Sequence, residues 1–304
     1  MLSPDNDIFF ANNMYADFGA VGQSLKQLVE EYQTKVKTQQ KVESIEDMKS
    51  FVENYPHFKQ MSGAVSKHVA VVGELARLNE KYHLLEVSEL EQELACHANH
   101  SSSLQRLKQL LDNPKIRDQD ALRLVLLYAL RYESHSNNDI VGLVSKLKSR
   151  GLSQEQVNTV TAILKFGGAK KRRSDLYGSD PVAVTKRFIK GLQGVENIYT
   201  QHTPWIKGIV EDLLRGRLKE TAFPFFNVSR NLVGGPGDMT RCAEVIVFVI
   251  GGVTYAEALA IHSINRAENR QAVVLGGTAI HNMKSFLEEI NAFSPKPKVL
   301  PRAI

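Results

Sequence analysis

The sequence predicts a mainly α-helical protein with a C-terminal α/β part. Between residues 101 and 222 apolar side chains recur at helical spacing almost throughout. Two short apolar runs rich in β-branched residues, 245 to 250 and 272 to 275, are each followed by a glycine pair and a helical pattern. Because both runs are apolar on both faces, we expect parallel strands covered by helices on both sides.

Only two such strands are visible, although a stable sheet usually needs three or more. We therefore expect the other strands of this sheet to lie outside the sequence. At least one strand edge should then be uncovered.

Composition is that of an ordinary soluble protein with a sizeable core. The 304 residues are 43% hydrophobic and 23% charged, and the net charge of +5 is spread along the chain, which does not indicate nucleic-acid binding. Two cysteines are too few for a disulfide framework and indicate a reducing compartment, so we expect the cytoplasm. No signal peptide or membrane-spanning run of about 18 apolar residues is visible.

The first third of the chain predicts three helices. Residues 18 to 33 form one, followed by a polar loop over residues 34 to 44. A second helix begins near Ser44 and ends at Pro56, because proline removes a backbone donor and disfavours helix at the residue before it. A third, amphipathic helix follows over residues 57 to 82.

This third helix carries two apolar stripes. Either both belong to the internal core, or one packs internally while the other receives a partner helix. Periodicity alone does not decide between them. The first stripe is Phe58, Met61, Val65, Val69, Val72 and Ala76, and the second is Val71, Leu75, Leu78 and Tyr82.

Further helices are predicted through residues 104 to 111, 122 to 132, 154 onward, 182 to 192 and 205 to 214, before a glycine-rich linker over residues 227 to 241. Their starts are indicated by residues whose side chains accept free backbone N–H groups. These candidate caps are Ser102 or Ser103, Asp118 or Asp120, Ser153 with Gln156 in a capping box, and Asp180.

The glycine pairs at 251–252 and 276–277 are the strongest candidates for a chemical site. They stand where α/β proteins bind phosphates, and Thr254 and Thr278 would supply hydroxyls. Neither pair is part of a complete nucleotide-binding motif, so turn geometry is the favoured interpretation. His281, just after the second pair, is expected to start a helix with a satisfied hydrogen bond.

Two other groups of residues are weaker candidates for a chemical site. Cys96, His97 and His100 have metal-binding atoms but lack a second ligand pair, so a zinc site is not favoured. The basic run at residues 170 to 173 is expected to be a solvated loop. We therefore predict no catalytic residue, no cofactor and no metal.

Several short motifs are distributed over residues 2 to 293. They are residues 9 to 15 (FFANNMY) with Phe18 and Gly19, 45 to 48 (IEDM) with 55 to 58 (YPHF), 85 to 89 (LEVSE) with 92 to 96 (QELAC), 123 to 128 (RLVLLY), 194 to 197 (GVEN) with 199 to 202 (YTQH), 247 to 252 (VFVIGG), and 274 to 278 (VLGGT) with 284 to 289 (KSFLEE). Together they resemble the C-terminal part of the Sec/Munc family of SNARE-assembly regulators.

The resemblance implies part of a three-domain arch. Residues 1–95 are similar to helical domain 3a, 96–226 to helical domain 3b, and 227–294 to the second half of the parallel-sheet domain 2, with a disordered tail at 295–304. Domain 1 and the first half of domain 2 have no counterpart. We therefore expect a fragment that lacks the family's pocket for the syntaxin N-terminal peptide.

The resemblance also implies a non-enzymatic function. Family members bind syntaxin-type SNAREs and assembled SNARE bundles, here in trafficking at Golgi and endosomal membranes, and domain 3a presents a helical hairpin to SNARE motifs. Pro56 corresponds to the proline in the bend of that hairpin, and we expect it to set a balance between a bent and an extended form. The expected SNARE-binding residues are Tyr55, Pro56, Phe58, Met61, Val65, Val69 and Val72.

Two alternatives stay open at this point. In the first, the chain is a nucleotide-binding α/β enzyme that uses the glycine turns and has a helical accessory domain. In the second, the chain alone cannot bind a SNARE, because exposed strand edges and half a domain favour aggregation. SNARE capture and stabilisation by nucleotides would separate the first alternative from the SNARE-binding hypothesis.

Overall fold

A computed structural model describes residues 2–39, 45–96, 99–166, 168, 197–219, 221–224, 244–267 and 272–292. The chain divides into two compact units, residues 1–85 and 86–304. The four-part division implied by the resemblance stays a prediction. The helix at residues 182 to 192, the linker, the basic run and the C-terminal tail all lie outside the described residues.

The first unit contains α1 (Ile8–Asn13), α2 (Phe18–Gln39) and α3 (Ile45–Tyr82). The expectation of a polar loop from residue 34 is wrong, because α2 continues to Gln39. Lysine and glutamine residues in this stretch are good helix formers, and the Thr34 hydroxyl donates to the Glu30 carbonyl at 2.9 Å. The polar composition of this stretch is therefore that of an exposed helix and not of a loop.

The predicted break at Pro56 is also wrong, because α3 is one helix of 38 residues with Pro56 inside it. A proline in a helix interior costs about 3 kcal/mol. Against this cost, α2 packs beside the segment that follows Pro56, where Tyr32 stacks on Phe58 with ring centroids 5.3 Å apart. Burial of a large apolar side chain contributes about 1.5–3 kcal/mol, so a few half-buried residues along this face outweigh the proline.

The second unit has a helical part around one core. Helices α4 to α8 contribute its fully buried side chains, which include Leu94, Leu107, Leu124, Tyr128 and Leu143. Their bounds are α4 (Leu84–Cys96), α5 (His100–Asp112), α6 (Asp118–Tyr132), α7 (Ile140–Ser149) and α8 (Gln154–Lys165).

The predicted helix starts are partly right. The capping box of Ser153 and Gln156 at α8 is confirmed. At α5 the cap is Asn99, whose side chain accepts from the Ser102 N–H, and not Ser102 or Ser103. Ser103 lies inside the first turn, where its hydroxyl is 2.7 Å from the Asn99 carbonyl oxygen.

Neither Asp118 nor Asp120 caps α6, because the N-cap residue is Arg117. Both aspartates lie in the first turn, where a negative charge is favourable. Asp120 is fully buried between two guanidinium groups, 2.6 Å from Arg117 and 3.0 Å from Arg123.

The α/β part of the second unit contains two strands in parallel, as expected. β1 (Glu244–Val249) pairs with β3 (Ala272–Gly277) in the register Val245 to Val273. Two shorter strands that the sequence did not predict, β2 (Val253–Thr254) and β4 (Ile280–His281), pair in parallel beyond the glycine turns. Within the described residues β1 bonds to β3 alone, which confirms the prediction of an incomplete sheet with an uncovered edge.

The expectation of helices on both faces is wrong for the described residues. α9 (Trp205–Leu214) and α10 (Tyr255–Ala267) pack on the face formed by Val245, Val247 and Val249. On the opposite face Ile246 and Phe248 are 77% and 62% exposed. Both helices contribute to a single core, so among the described elements the helices cover one face of the sheet.

The last helix, α11 (Met283–Ala292), connects the α/β part to the helical part of the same unit. Ile290 belongs to the core of α4 to α8, and the Thr159 hydroxyl lies 3.1 Å from the Asn291 side-chain oxygen. The predicted class, mainly α with a C-terminal α/β part, is confirmed. Among the described helices, none is both long enough and apolar enough to cross a bilayer.

Candidate functional site

All of the residues expected to bind a SNARE helix lie on α3. Tyr55, Pro56 and Val69 are exposed, and Val69 retains 47% of its accessible surface. The other four, Phe58, Met61, Val65 and Val72, are half-buried. The structure therefore brings the predicted residues together on one helix but divides them into an exposed and a partly covered group.

Helix α2 packs beside α3 and contacts the second group at Phe58. The Tyr32 ring is nearly parallel to that of Phe58, at an interplanar angle of 19°, and the Tyr32 hydroxyl is 3.4 Å from the Ser62 hydroxyl. Positions 58, 62 and 65 share one face of a helix because they are separated by three or four residues. Much of the first apolar stripe therefore packs inside the unit.

The second stripe is more exposed at its start. Val71 and Leu75 retain 37% and 44% of their accessible surface, whereas Leu78 and Tyr82 are half-buried. With 100° between successive residues, Val69 lies on the same face of α3 as positions 58, 62 and 65, whereas Val71 and Leu75 lie roughly 120–160° away from Val69 around the helix. Tyr55 and Val69, which are exposed and lie on one side of α3, are called the exposed α3 surface.

A buried carboxylate fixes the middle of α3 to the beginning of the chain. Asp7 accepts hydrogen bonds from the Phe10 N–H at 2.9 Å, from His68 Nε2 at 2.9 Å, and from Lys67 Nζ. Burial alone would raise the pKa of the Asp7 carboxyl, but the bonds from Lys67, Phe10 and His68 outweigh it and hold this pKa well below its usual range. We call Asp7, Lys67 and His68 the Asp7 clasp.

Sequence reasoning did not find the Asp7 clasp. Asp7 is separated from Lys67 and His68 by about sixty residues, and no short motif connects them. The only local signal was that an aspartate stands directly before a short helix, where it serves as the N-cap of α1.

The backbone conformation of the turn explains the glycine pair at 251–252. Gly251 and Gly252 have φ values of +110° and +100°, which side-chain-bearing residues rarely adopt. The Gly251 N–H, which a phosphate would need, donates to the Thr278 hydroxyl at 3.0 Å. The Thr254 hydroxyl forms a capping pair with Glu257 at the start of α10.

His281 also serves this turn. Its expected position at a helix start is wrong, because it lies in β4 and α11 begins at Met283 with the Asn282 side chain accepting from Ser285 N–H. The expected hydrogen bond is confirmed. The buried His281 ring lies 3.0 Å from the Gly251 carbonyl oxygen and 2.9 Å from Glu289.

The weak zinc candidate is not assembled in the described residues. His97 lies outside them, and no group of three ligand side chains is found in the part of the chain that is described. His100 is instead buried, with Nε2 2.8 Å from the Tyr128 hydroxyl and its ring stacked on that of His135 at 3.9 Å. Burial, together with the nearby His135, lowers the pKa of His100 below its usual value.

An apolar helix surface held on a helical hairpin, with internally satisfied glycine turns, is typical of a protein that binds other proteins. Comparison with known proteins identifies the family of this chain. It matches the Sec1 family over residues 1–289, and it therefore belongs to that family, as the motifs predicted.

Individual relatives agree with this assignment. The chain is 53% identical over 295 residues to vacuolar protein sorting-associated protein 45 of Mus musculus and to that of Homo sapiens, covering 96% of this chain and 50% of each relative. It is also similar to a solved structure described as "SM Protein Vps45 in Complex with Qa SNARE Tlg2", with a TM-score of 0.79 and 42% identity over 96% of this chain and 51% of that one. The chain spans about half the length of the curated relatives it matches.

The first prediction from this geometry concerns the glycine turn. A Cβ at Gly252 would lie 2.5 Å from His281 Cδ2, whereas a Cβ at Gly251 would meet nothing within 4 Å. Both substitutions to alanine impose backbone strain of about 1–3 kcal/mol. We expect Gly252→Ala to lower the free energy of unfolding more than Gly251→Ala in denaturant titrations. Equal losses would show that the His281 contact is unimportant.

The second prediction concerns pH. Because the pKa of His100 is lower in the folded state, its contribution to stability is complete above the unfolded value near 6.5 and is lost as the pH falls below it. The loss is about 1.4 kcal/mol for each pKa unit between the two states. In denaturant titrations from pH 7.5 to 5.5, His100→Gln should flatten this decline, whereas His57→Gln, at an exposed position, should not. An unchanged decline in His100→Gln would contradict the assignment.

Proposed function

We propose that this chain is a SNARE-binding regulator of vesicle docking and fusion that acts as a non-catalytic scaffold. The observation that carries the proposal is the exposed α3 surface in a Sec1 family chain. A relative of similar fold is described in complex with the Qa SNARE Tlg2, and an amphipathic SNARE helix is a suitable ligand for an apolar helix surface. The proposed partners are a syntaxin-type SNARE of Golgi or endosomes and the assembled SNARE bundle.

The proposed site comprises Tyr55, Pro56, Phe58, Met61, Val65, Val69 and Val72. Contact begins at the exposed α3 surface. The half-buried members, Phe58 among them, contribute by holding α3 on α2 and by offering their remaining accessible edges.

The proposed location is the cytoplasmic surface of Golgi and endosomal membranes, reached through the SNARE partner. The names of the curated relatives, which refer to vacuolar protein sorting, support a role in this transport system. A nucleotide-dependent function is not favoured, because the Gly251 N–H and the Thr254 hydroxyl already have partners within the turn. Capture by a syntaxin cytosolic domain, compared with thermal stabilisation by nucleotides, separates the two. Nucleotide stabilisation without SNARE capture would overturn the proposal.

A charge on the exposed α3 surface should weaken SNARE binding. Val69→Asp places an unpaired carboxylate where the partner helix would exclude water, and we expect about a tenfold loss of affinity, equal to ~1.4 kcal/mol. Isothermal titration calorimetry with a syntaxin cytosolic domain measures this. Val141→Asp is the matched control, because Val141 is 81% exposed on α7 in the second unit. Equal affinities of the two variants would argue against α3 as the binding surface.

Replacement of Pro56 should raise SNARE binding. Pro56→Ala restores a backbone donor within α3 and favours the continuous helix by up to ~3 kcal/mol. The apparent affinity should then rise by up to the reciprocal of the fraction of chains in which α3 is already continuous. Calorimetry with the same SNARE domain tests this, with Gly73→Ala, at an open helical position, as a control for helix propensity alone. Unchanged or weaker binding by Pro56→Ala would contradict the role of this residue.

A further inference from the structure

The Asp7 clasp holds together two elements that are distant in the sequence. The Asp7 side chain is only 5% exposed and that of His68 4%, so solvent cannot replace either partner. The Phe9 ring packs on the His68 ring with centroids 4.4 Å apart and closes the site from the side of α1. The carboxylate therefore depends on donors from both α1 and α3.

A buried charge of this kind gives an all-or-none connection. Removal of one partner from a buried ion pair is strongly destabilising, because the remaining charge is left without compensation. Separation of α1 from α3 would expose the Asp7 and His68 side chains together and break the ion pair of Asp7 with Lys67. At this point α1 is thus either packed against α3 or separated from it.

The Asp7 clasp lies on the part of α3 that follows Pro56 and carries Val69. Lys67 and His68 lie about three helical turns beyond Pro56, in the part of α3 whose direction depends on the helix being continuous at the proline. Tyr32 contacts Phe58 and Ser62 in the first two turns after Pro56, and the Asp7 clasp holds the helix farther along. Val69 directly follows His68, so its direction is set by the clasp.

We propose that Asp7 is a positioning residue for partner binding. Its carboxylate holds α3 in the continuous form and so presents Val69 and the rest of the exposed α3 surface to a partner helix. The link to binding rests on the proposed SNARE function, whereas the effect of Asp7 on α3 does not.

Hydrogen exchange tests the effect on α3 without any partner. In the full chain, Asp7→Asn keeps the shape of the side chain but removes its charge, and we expect about tenfold faster amide exchange in residues 57–72. Exchange in residues 104–132, in the core of the second unit, should not change, which separates local release from general unfolding. Asp5→Asn is the matched control, because Asp5 is exposed and bonds only locally to Ser3. Unchanged exchange in residues 57–72 of Asp7→Asn would overturn the proposal.

Rescue by a second substitution tests the link to binding. Asp7→Asn should weaken affinity for a syntaxin cytosolic domain about tenfold, and Pro56→Ala in the same chain should restore most of it by favouring the continuous helix directly. A loss that Pro56→Ala does not restore, or no loss at all, would overturn the positioning role. No binding by the unsubstituted chain would instead overturn the proposed function, and the exchange measurement would still decide whether Asp7 holds α3.

Discussion

Pro56 inside α3 is the constraint on which the first unit depends. The proline leaves the helix without one backbone hydrogen bond, at a cost of about 3 kcal/mol, and the continuous helix forms only because its neighbours compensate. Tyr32 packs against Phe58 immediately after the proline, and the Asp7 clasp holds the helix three turns later. The apolar residues between and beyond these contacts gain fixed directions, which is what a surface needs if it is to align a partner helix.

The sequence predicted which residues of α3 are apolar and helical, but it did not predict that the helix runs unbroken through Pro56. The two apolar stripes were visible from their spacing. In the structure the first stripe is half-buried for most of its length and exposed at Val69, and the second is exposed at Val71 and Leu75 on another side of the helix. The break expected at Pro56 did not occur because tertiary packing outweighed local propensity. Local rules succeeded where the partners are close in sequence, as in the capping box of Ser153 and Gln156. They could not find the Asp7 clasp, whose partners meet only in the folded unit.

In the α/β part, the sequence likewise predicted where the strands lie but not which faces of the sheet are covered. The runs at residues 245 to 250 and 272 to 275 located β1 and β3 to within two residues, because β-branched apolar runs are a local signal. Which faces are covered is a tertiary property, and Ile246 and Phe248 are exposed within the described structure. The glycine pairs looked like a phosphate site in the sequence alone. In the structure, Gly252 has His281 packed against it, and the Gly251 N–H is bonded to Thr278.

The central claim is that a SNARE helix contacts the exposed α3 surface. Site-specific photo-crosslinking tests it most directly: a photoreactive amino acid is placed at Val69 in one variant and at Val141 in another, and each is irradiated with a syntaxin cytosolic domain. Both positions are exposed, but they lie in different units of the chain. We expect crosslinks to the SNARE motif from position 69 and none above background from position 141. Crosslinks from position 141 alone, or from neither position while the two proteins bind in calorimetry, would contradict the claim.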